Sequence, residues 1–470
     1  MPHQVEAVRT VRDLEYAALF HEQGLGKTKI GLDLTLHWLA GGVVDSVLVV
    51  TKKTLVENWV REITSHTYLR PVVLNQNSRA NFWALNAPVR LYVTHYEVMH
   101  SERTRFEMLA ESRRLGVLLD EAQRIKNPGT APARALHALA PKFTRRVIMT
   151  GTPVANRPYD LWSQVFFLDQ GEALGTSFAS FKCRADLDRS VAEDPAAARA
   201  FETKVAGVPS LVRAFSVRET KESAELNLPG KTLRDTPAEL EEEQWHLYQR
   251  YKTELRAEIE IEGVLTMDDA ERVLKRLLRL VQVASNPQLV DESYGGEPGK
   301  LPVLDRILNG SGIGEAKKIV WTAFTDNVEM IARRYSGLEP ARLHGKRPIA
   351  DRNADITRFL EDDNCRLLVA TPGAAKEGLT LTVSDHAIFF DRSFSLDDYL
   401  QAQDRIHRIS QTRDCVVENL IATRTIDEWV GTLLSAKELA AALTQGDVNL
   451  EEYRDKATYD FVRALDSVLG

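Results

Sequence analysis

The chain has 470 residues, 44% hydrophobic and 27% charged, with a formal net charge of −7. That length exceeds one ordinary core, so several domains are expected; the negative balance argues against a simple basic DNA-coating protein but leaves room for a local basic groove. No apolar run reaches the roughly 18–20 residues that cross a bilayer, the opening MPHQVEAVRT has no apolar signal core, and Cys183, Cys365 and Cys415 are too far apart for a metal or disulfide pattern, so a reducing, cytoplasmic setting without membrane attachment is expected.

In chain order, a Gly-rich turn, HEQGLGKT (21–28), leads into an amphipathic helix. The runs SVLVV (46–50), VRLYVT (89–94), LGVLLD (115–120) and RRVIMT (145–150) read as buried strands separated by helices such as 54–66 and 131–140. This alternation predicts an α/β fold, a parallel sheet covered by helices on both faces, with ligands at the carboxyl ends of the strands. From about 170 to 290 the sequence turns helix-rich and charged, without strand runs; 239–262 and 268–285 both read as helices. DESYGGEPGK (291–300) is the clearest linker. Alternation then resumes with KKIVWTAF (317–324), CRLLVAT (365–371), HAIFFD (386–391) and CVVENLI (415–421). The expected organisation is a first lobe over 1–168, a helical insertion over 169–290, the linker, a second lobe over 301–435 and a helical tail over 436–470.

Three motifs carry chemistry. In the first, Gly24 and Gly26 would let backbone N–H groups approach phosphates at a helix start, Lys27 would reach the β/γ-phosphates and Thr28 would hold Mg2+. His21 stands where the common phosphate-loop pattern begins with glycine, so the octamer alone is also compatible with an ordinary helix start. In the second, an apolar strand delivers Asp120 and Glu121 to its carboxyl end, a pair suited to holding Mg2+ and polarising an attacking water. In the third, QAQDRIHRISQ (401–411), Arg405 and Arg408 are three apart on one predicted helix face and could stabilise charge on a γ-phosphoryl group; an Arg-rich helix is otherwise a solvated face. Elsewhere, Arg272, Lys275, Arg276 and Arg279 form a stripe that is either solvated or DNA-facing. Trp59, Trp162, Trp245 and Trp429 read as core. His21, His344 and His407 lack metal-ligand spacing, so no metal beyond nucleotide-bound Mg2+ is expected.

Taken together, these pieces resemble superfamily 2 helicases, the SNF2-like branch in particular, over about residues 2–435. MPHQVEAV resembles the family's Q motif, EQGLGKT its motif I, VLVVTKKTLVENWVREI motif Ia, YVTHYEV motif Ib and DEAQRIKNPGT motif II. MTGTPVANRPYDLWSQVFFLD is similar to motif III with its extension, and SNPQLV (285–290) to the segment that ends the insert. KIVWTAFTDNVEMI resembles motif IV, the stretch from RLHGK to DRSFS covers the region through motif V, and QAQDRIHRISQ resembles motif VI.

The resemblance implies two RecA-like lobes with a helical insertion between motifs III and IV, using ATP and Mg2+. It makes Gln4 the adenine-reading residue and places Gly24, Leu25, Gly26, Lys27 and Thr28 on the phosphates. Thr28 and Asp120 become Mg2+ ligands and Glu121 the base; Thr150, Gly151 and Thr152 would couple hydrolysis to movement. Gly378 and Leu379 would line the cleft from the second lobe, completed by Gln401, Arg405 and Arg408. Lys52, Lys53, Thr94, Thr322 and Thr371 are the nucleic-acid candidates. Departures from the family pattern are His3 for a usual tyrosine, His21 for a usual acid, DRSFSLDDYLQ in the bridge to motif VI, and Ser410 for a usual glycine. The implied function is an ATP-dependent translocase on duplex DNA; a strand-separating DNA or RNA helicase and a nucleotide-dependent scaffold subunit use the same core motifs. A compact bacterial or viral type, without room for N-terminal regulation, monomeric and targeted through a partner protein, is the further expectation.

Overall fold

In the computed structural model, which describes residues 1–224, 228–262, 270–310, 316–375 and 379–459, the apolar runs read as strands all form strands. The first sheet contains β1 (Tyr16–Leu19), β2 (Ser46–Thr51), β3 (Val72–Val73), β4 (Leu91–His95), β5 (Leu115–Asp120), β6 (Arg145–Met149) and β7 (Ser216–Val217). Their order is β3-β4-β2-β5-β6-β1-β7, parallel at every pairing. β2 and β5 are buried at every position, as expected for valine- and leucine-rich strands covered on both faces. The helices Lys27–Ala40 and Val56–His66 supply that cover, with Leu34, Trp38, Trp59 and Ile63 packed on Val47, Val49, Leu118 and Met149. Each such side chain contributes about 1.5–3 kcal/mol by leaving water. Because the strands are parallel, the turn after β1 and the carboxylates after β5 leave the same edge of the sheet, with β6 between them.

The second sheet contains β8 (Lys231–Ala238), β9 (Lys317–Trp321), β10 (Ala341–Leu343), β11 (Leu367–Ala370), β12 (Ser384–Phe389) and β13 (Cys415–Ala422), in the parallel order β10-β11-β9-β12-β13-β8. Leu304, Val320, Val328, Ile331, Val369, Ile388 and Leu420 form its core. The two expected α/β lobes, each built on a parallel sheet, are therefore present. The described residues group into two compact units: Met1–Leu187, Ala196–Leu226 and Leu439–Lys456 in one, Asn227–Glu438 with Asp188–Pro195 in the other.

The stretch 169–290 differs from its reading in two ways. It is shared between the units, and it contains two strands where none was expected. β7 pairs with β1 over two residues, and β8 pairs with β13 along its whole length. β8, KTLRDTPA, is an edge strand exposed over its first five positions, so it carries no apolar alternation to betray it. The long helices Glu242–Glu262 and Ala270–Ser285 are present and pack on each other. Residues 291–300 are turn and coil; the helix Ile426–Gln445 runs across the expected boundary at 436 and Leu450–Lys456 follows it, while the tail from 460 onward lies outside the described residues. Among the described residues no helix is long and apolar enough to cross a membrane.

Candidate active site

After β1 the chain turns through residues 20–26 into the helix Lys27–Ala40. Gly24 and Gly26 have φ of 88° and 79°, the left-handed region where a side chain is strained. Gly26 is also covered by Gln4, whose Nε2 occupies the space a Cβ there would need. Gln4 Nε2 donates to Leu25 O at 3.2 Å, and His3 Nε2 lies 3.1 Å from the same oxygen. The Leu25 side chain is fully buried, so its part in the loop is played by the backbone. Lys27 Nζ donates to the carbonyls of His21 at 2.9 Å and Glu22 at 3.2 Å, and Thr28 is half-buried in the first helical turn. The loop is braced from behind: Arg218 Nη1 donates to Phe20 O at 2.9 Å, and Lys221 N donates to Glu22 Oε2 at 2.7 Å. These braces directly follow β7, which was invisible in the sequence.

β5 ends on Asp120, whose Oδ2 accepts from Thr51 Oγ1 at 2.9 Å and from Trp59 Nε1 at 2.8 Å. Trp59 is thus a core residue, as read, whose indole N–H also orients an acid. Tyr96 Oη donates to Asp120 O at 2.7 Å. Glu121 follows with φ 54°, a left-handed conformation that costs a non-glycine residue about 1 kcal/mol or more and ends the strand. Its Oε2 accepts from Lys52 Nζ at 3.1 Å and from Gln123 Nε2 at 2.6 Å. Gln123 Oε1 accepts from Thr150 Oγ1 at 2.6 Å, and Thr150 Oγ1 accepts from Thr152 N at 3.1 Å. A buried relay therefore joins the acid pair to residues 150–152. Gly151 packs on the Gly-rich turn itself: a Cβ there would lie 2.7 Å from Gln23 Cγ and 3.2 Å from Lys27 Nζ. Gln123, absent from the sequence candidates, stands two residues after Glu121 in the same motif.

Burial raises the Asp120 carboxyl, and the charge of Glu121 raises it further. On Glu121 burial acts the same way but is outweighed by Lys52 and Lys27, which hold the carboxyl down. The pair divides into one carboxyl pushed up and one carboxylate kept ionised. Asp120 and Glu121 are adjoining oxygen donors of the kind that suits a hard divalent cation such as Mg2+.

His21 is fully buried at the start of the loop. Neither ring nitrogen makes a hydrogen bond of good geometry, and the Val217 backbone, which acts to raise the pKa, is outweighed. Burial, with repulsion from Lys27 and His3, lowers its pKa from 6.5 to about 4. The unfolded chain takes up this proton as the pH falls through about 6.5, the folded chain only near 4, so the folded state loses up to about 3 kcal/mol across that window. Urea unfolding at about pH 7 and about pH 5 should show a smaller acid-induced loss for His21→Gln than for the wild type. Equal losses would mean that the histidine is not held neutral.

In the second unit, the helix Leu396–Gln403 starts at Ser395, whose side chain accepts from Asp398 N, and stops before both arginines. Arg405 and Arg408 were expected on one helix face; they lie instead in the turns that follow. The cause is competition for the backbone. Leu381 N donates to Arg405 O at 2.9 Å, and Gln411 Nε2 donates to Ile406 O and Ser384 O, each at 2.9 Å. Both guanidinium groups reach the 379–380 segment, Arg405 Nη1 to Leu379 O at 3.3 Å and Arg408 Nη1 to Thr380 Oγ1 at 2.9 Å. Gln401 is buried one turn back, donating to Asp397 Oδ1 at 2.6 Å. Ser410 Oγ lies 2.9 Å from Thr382 Oγ1, so serine at this position ties the same two segments together. Gly378 lies outside the described residues.

The nucleic-acid candidates fare unevenly. Lys53 is exposed, whereas Lys52 is turned inward to Glu121. Thr94 and Thr322 were expected to face nucleic acid, but both are fully buried. Thr94 Oγ1 donates to Leu74 O at 3.0 Å, and Thr322 Oγ1 to Asp391 Oδ2 at 2.6 Å. A threonine at a strand end spends its hydroxyl on nearby polar groups when water is excluded. Thr371 is also buried, at 9% exposure. Asp391, which the sequence did not single out, gathers Ser285 Oγ at 2.7 Å, Ala323 N at 2.6 Å and Asn327 Nδ2 at 3.1 Å, linking the end of the insert to the start of the second lobe. In the basic stripe Arg276 is half-buried and Arg279 exposed; the side chains of Arg272 and Lys275 lie outside the described residues.

Residues 3–289 match the family model of the SNF2-related domain, and residues 299–410 that of the helicase conserved C-terminal domain. A Bacillus subtilis protein provisionally named an ATP-dependent helicase/translocase is 28% identical over 90% of this chain and 46% of its own length. The ATP-dependent DNA helicase DDM1 of Arabidopsis thaliana is 24% identical over 88% of this chain and 57% of its own. The DNA repair and recombination protein RDH54 of Saccharomyces cerevisiae is 26% identical over 94% of this chain and 50% of its own. The chain thus spans about half the length of the curated relatives it matches. Among solved structures, a Sulfolobus solfataricus SWI2/SNF2 ATPase core in complex with dsDNA aligns with 25% identity over 96% of both chains, at a TM-score of 0.42.

Proposed function

The chain belongs to the SNF2-related domain family, and from that premise we propose that it is a DNA-stimulated ATPase that moves along duplex DNA through cycles of lobe closure. The observation that carries this reading is the relay from Glu121 through Gln123 and Thr150 to Thr152, beside a glycine packed on Lys27. It gives a hydrolytic carboxylate a mechanical connection to the loop that touches the phosphate-binding turn.

In this reading Gln4 reads adenine, and the turn from Gly24 to Thr28 binds the phosphates through its backbone and Lys27. Glu121, the carboxylate of the pair that is kept ionised, with Lys27 among the causes, orients a water and receives its proton. Gln401, Arg405, Arg408, Gly378 and Leu379 act from the second lobe, the arginines on phosphoryl charge. Thr150, Gly151 and Thr152 pass the state of the acid pair to the rest of the lobe. Mg2+, held by Thr28 and Asp120, would neutralise phosphate charge. The names of the Arabidopsis and yeast relatives, a DNA helicase and a DNA repair protein, favour DNA as the polymer. Lys53 is the exposed lysine at the end of β2 that could meet a backbone phosphate.

Triplex displacement and forked-duplex unwinding, run in parallel with ATP, test the mode of action. The expected outcome is release of the third strand with the fork left paired. Unwinding of the fork would favour a strand-separating helicase, and neither activity despite ATP binding would favour a scaffold.

A further inference from the structure

The lysine pair at the end of β2 points in two directions. Lys53 is exposed, while the Lys52 ammonium lies 3.1 Å from Glu121 Oε2, with the side chains of this pair only 15% and 18% exposed. The backbone at Lys52 is extended, with φ −68° and ψ 145°, an unstrained conformation that leaves its position to the side-chain ion pair. Glu121 Oε2 accepts from both Lys52 Nζ and Gln123 Nε2, so two donors hold the same oxygen and fix the orientation of the carboxylate.

We propose that Lys52 is a positioning latch on the hydrolytic carboxylate: without nucleic acid it holds Glu121, and a backbone phosphate arriving beside Lys53 draws the ammonium away and releases the carboxylate to take the proton of an attacking water. The proposal rests on Glu121 acting as the base. In the step it controls, the oxygen of water bonds to the γ-phosphorus while the bond to the β-bridging oxygen breaks. Its electron pair leaves with ADP, and the proton of water passes to Glu121.

The two donors on Glu121 are not equivalent, and that asymmetry makes a latch possible. Gln123 is anchored from behind by Thr150, so it stays when Lys52 leaves and keeps the carboxylate in place. Lys52 ends a flexible four-carbon stem carrying a rotatable point charge, and its neighbour already faces solvent. A DNA phosphate offers the ammonium an equivalent charged partner, with counterion release as added driving force. DNA binding and hydrolysis would then share one ammonium group, which can serve either partner but not both.

The test uses the full chain and the variants Lys52→Ala, Lys52→Met and Glu121→Gln, measuring ATP turnover with and without duplex DNA and the salt dependence of DNA binding. Both Lys52 variants should raise DNA-free turnover about tenfold, gain less at saturating DNA, and so lose most of the stimulation ratio. Their slope of log affinity against log salt should fall by about 0.9, the share of one phosphate contact. DNA-free turnover that stays the same or drops in both folded variants overturns the latch. If Glu121→Gln keeps wild-type turnover, the base assignment has failed and the latch fails with it. If Glu121→Gln is inactive but neither Lys52 variant gains turnover, the latch alone has failed.

Discussion

Glu121→Gln is expected to lower ATP turnover by about 100- to 10,000-fold while leaving ATP affinity within a few-fold of wild type, the range that removal of a general base commonly costs. The substitution is nearly isosteric. Its amide oxygen can still accept from Lys52 Nζ, and the relay from Gln123 to Thr150 stays in place. What disappears is the one carboxylate of the pair that its surroundings keep ionised; Asp120 is buried, pushed up, and already committed to Thr51 and Trp59. Lys27→Ala should behave differently, losing ATP binding as well as turnover, because it removes the ammonium that spans the loop carbonyls of His21 and Glu22. Turnover at saturating ATP, together with nucleotide binding followed by fluorescence, separates the two. Wild-type turnover in Glu121→Gln would remove the base from the account.

The second large effect is on stability. Lys300 is fully buried at the end of the turn-rich joint, its Nζ 2.5 Å from Asp427 Oδ2 and 2.8 Å from Phe390 O. Asp427 Oδ2 also accepts from Ala422 N at 3.0 Å. Lys300→Ala leaves a buried carboxylate with backbone donors but no countercharge, which costs about 3–5 kcal/mol. The double change Lys300→Met with Asp427→Leu should recover much of that loss, because replacing both charges avoids the orphaned ion. Urea unfolding of the wild type, the single and the double variant checks this. A loss below about 1 kcal/mol for Lys300→Ala would mean that water reaches the pair.

Legibility followed the physics of burial. β2, β4, β5, β6, β9, β11, β12 and β13 were readable as apolar runs because each is long enough, and covered enough, to leave a pattern. β3 and β7 have two residues each and β10 three. β1, Tyr-Ala-Ala-Leu, is four residues with small side chains at its centre. None of these can show a period. β8 is legible only through its partner, since its exposed edge is polar.

The same division holds at the site. Gly24, Gly26, Lys27, Asp120 and Glu121 are close in sequence to the elements that position them, and their motifs were visible. Asp391 meets Ser285 and Thr322 across 106 and 69 positions, a pairing that no local pattern encodes. The same blindness placed Thr94 and Thr322 at a surface neither reaches. For Arg405 and Arg408 the spacing was helical, but bonds from Leu381, in the coil before β12, and from the Gln411 side chain take the carbonyls of Arg405 and Ile406, an override of local preference by tertiary contacts.

Whether DNA engages this ATPase is decided by ATP turnover of the purified chain with and without duplex DNA, beside Lys27→Ala. Turnover should be low alone, rise severalfold or more with duplex DNA, and be absent from the variant under either condition. Turnover indifferent to DNA, or surviving the loss of Lys27, would show that the chain is not a DNA-engaged ATPase of this kind.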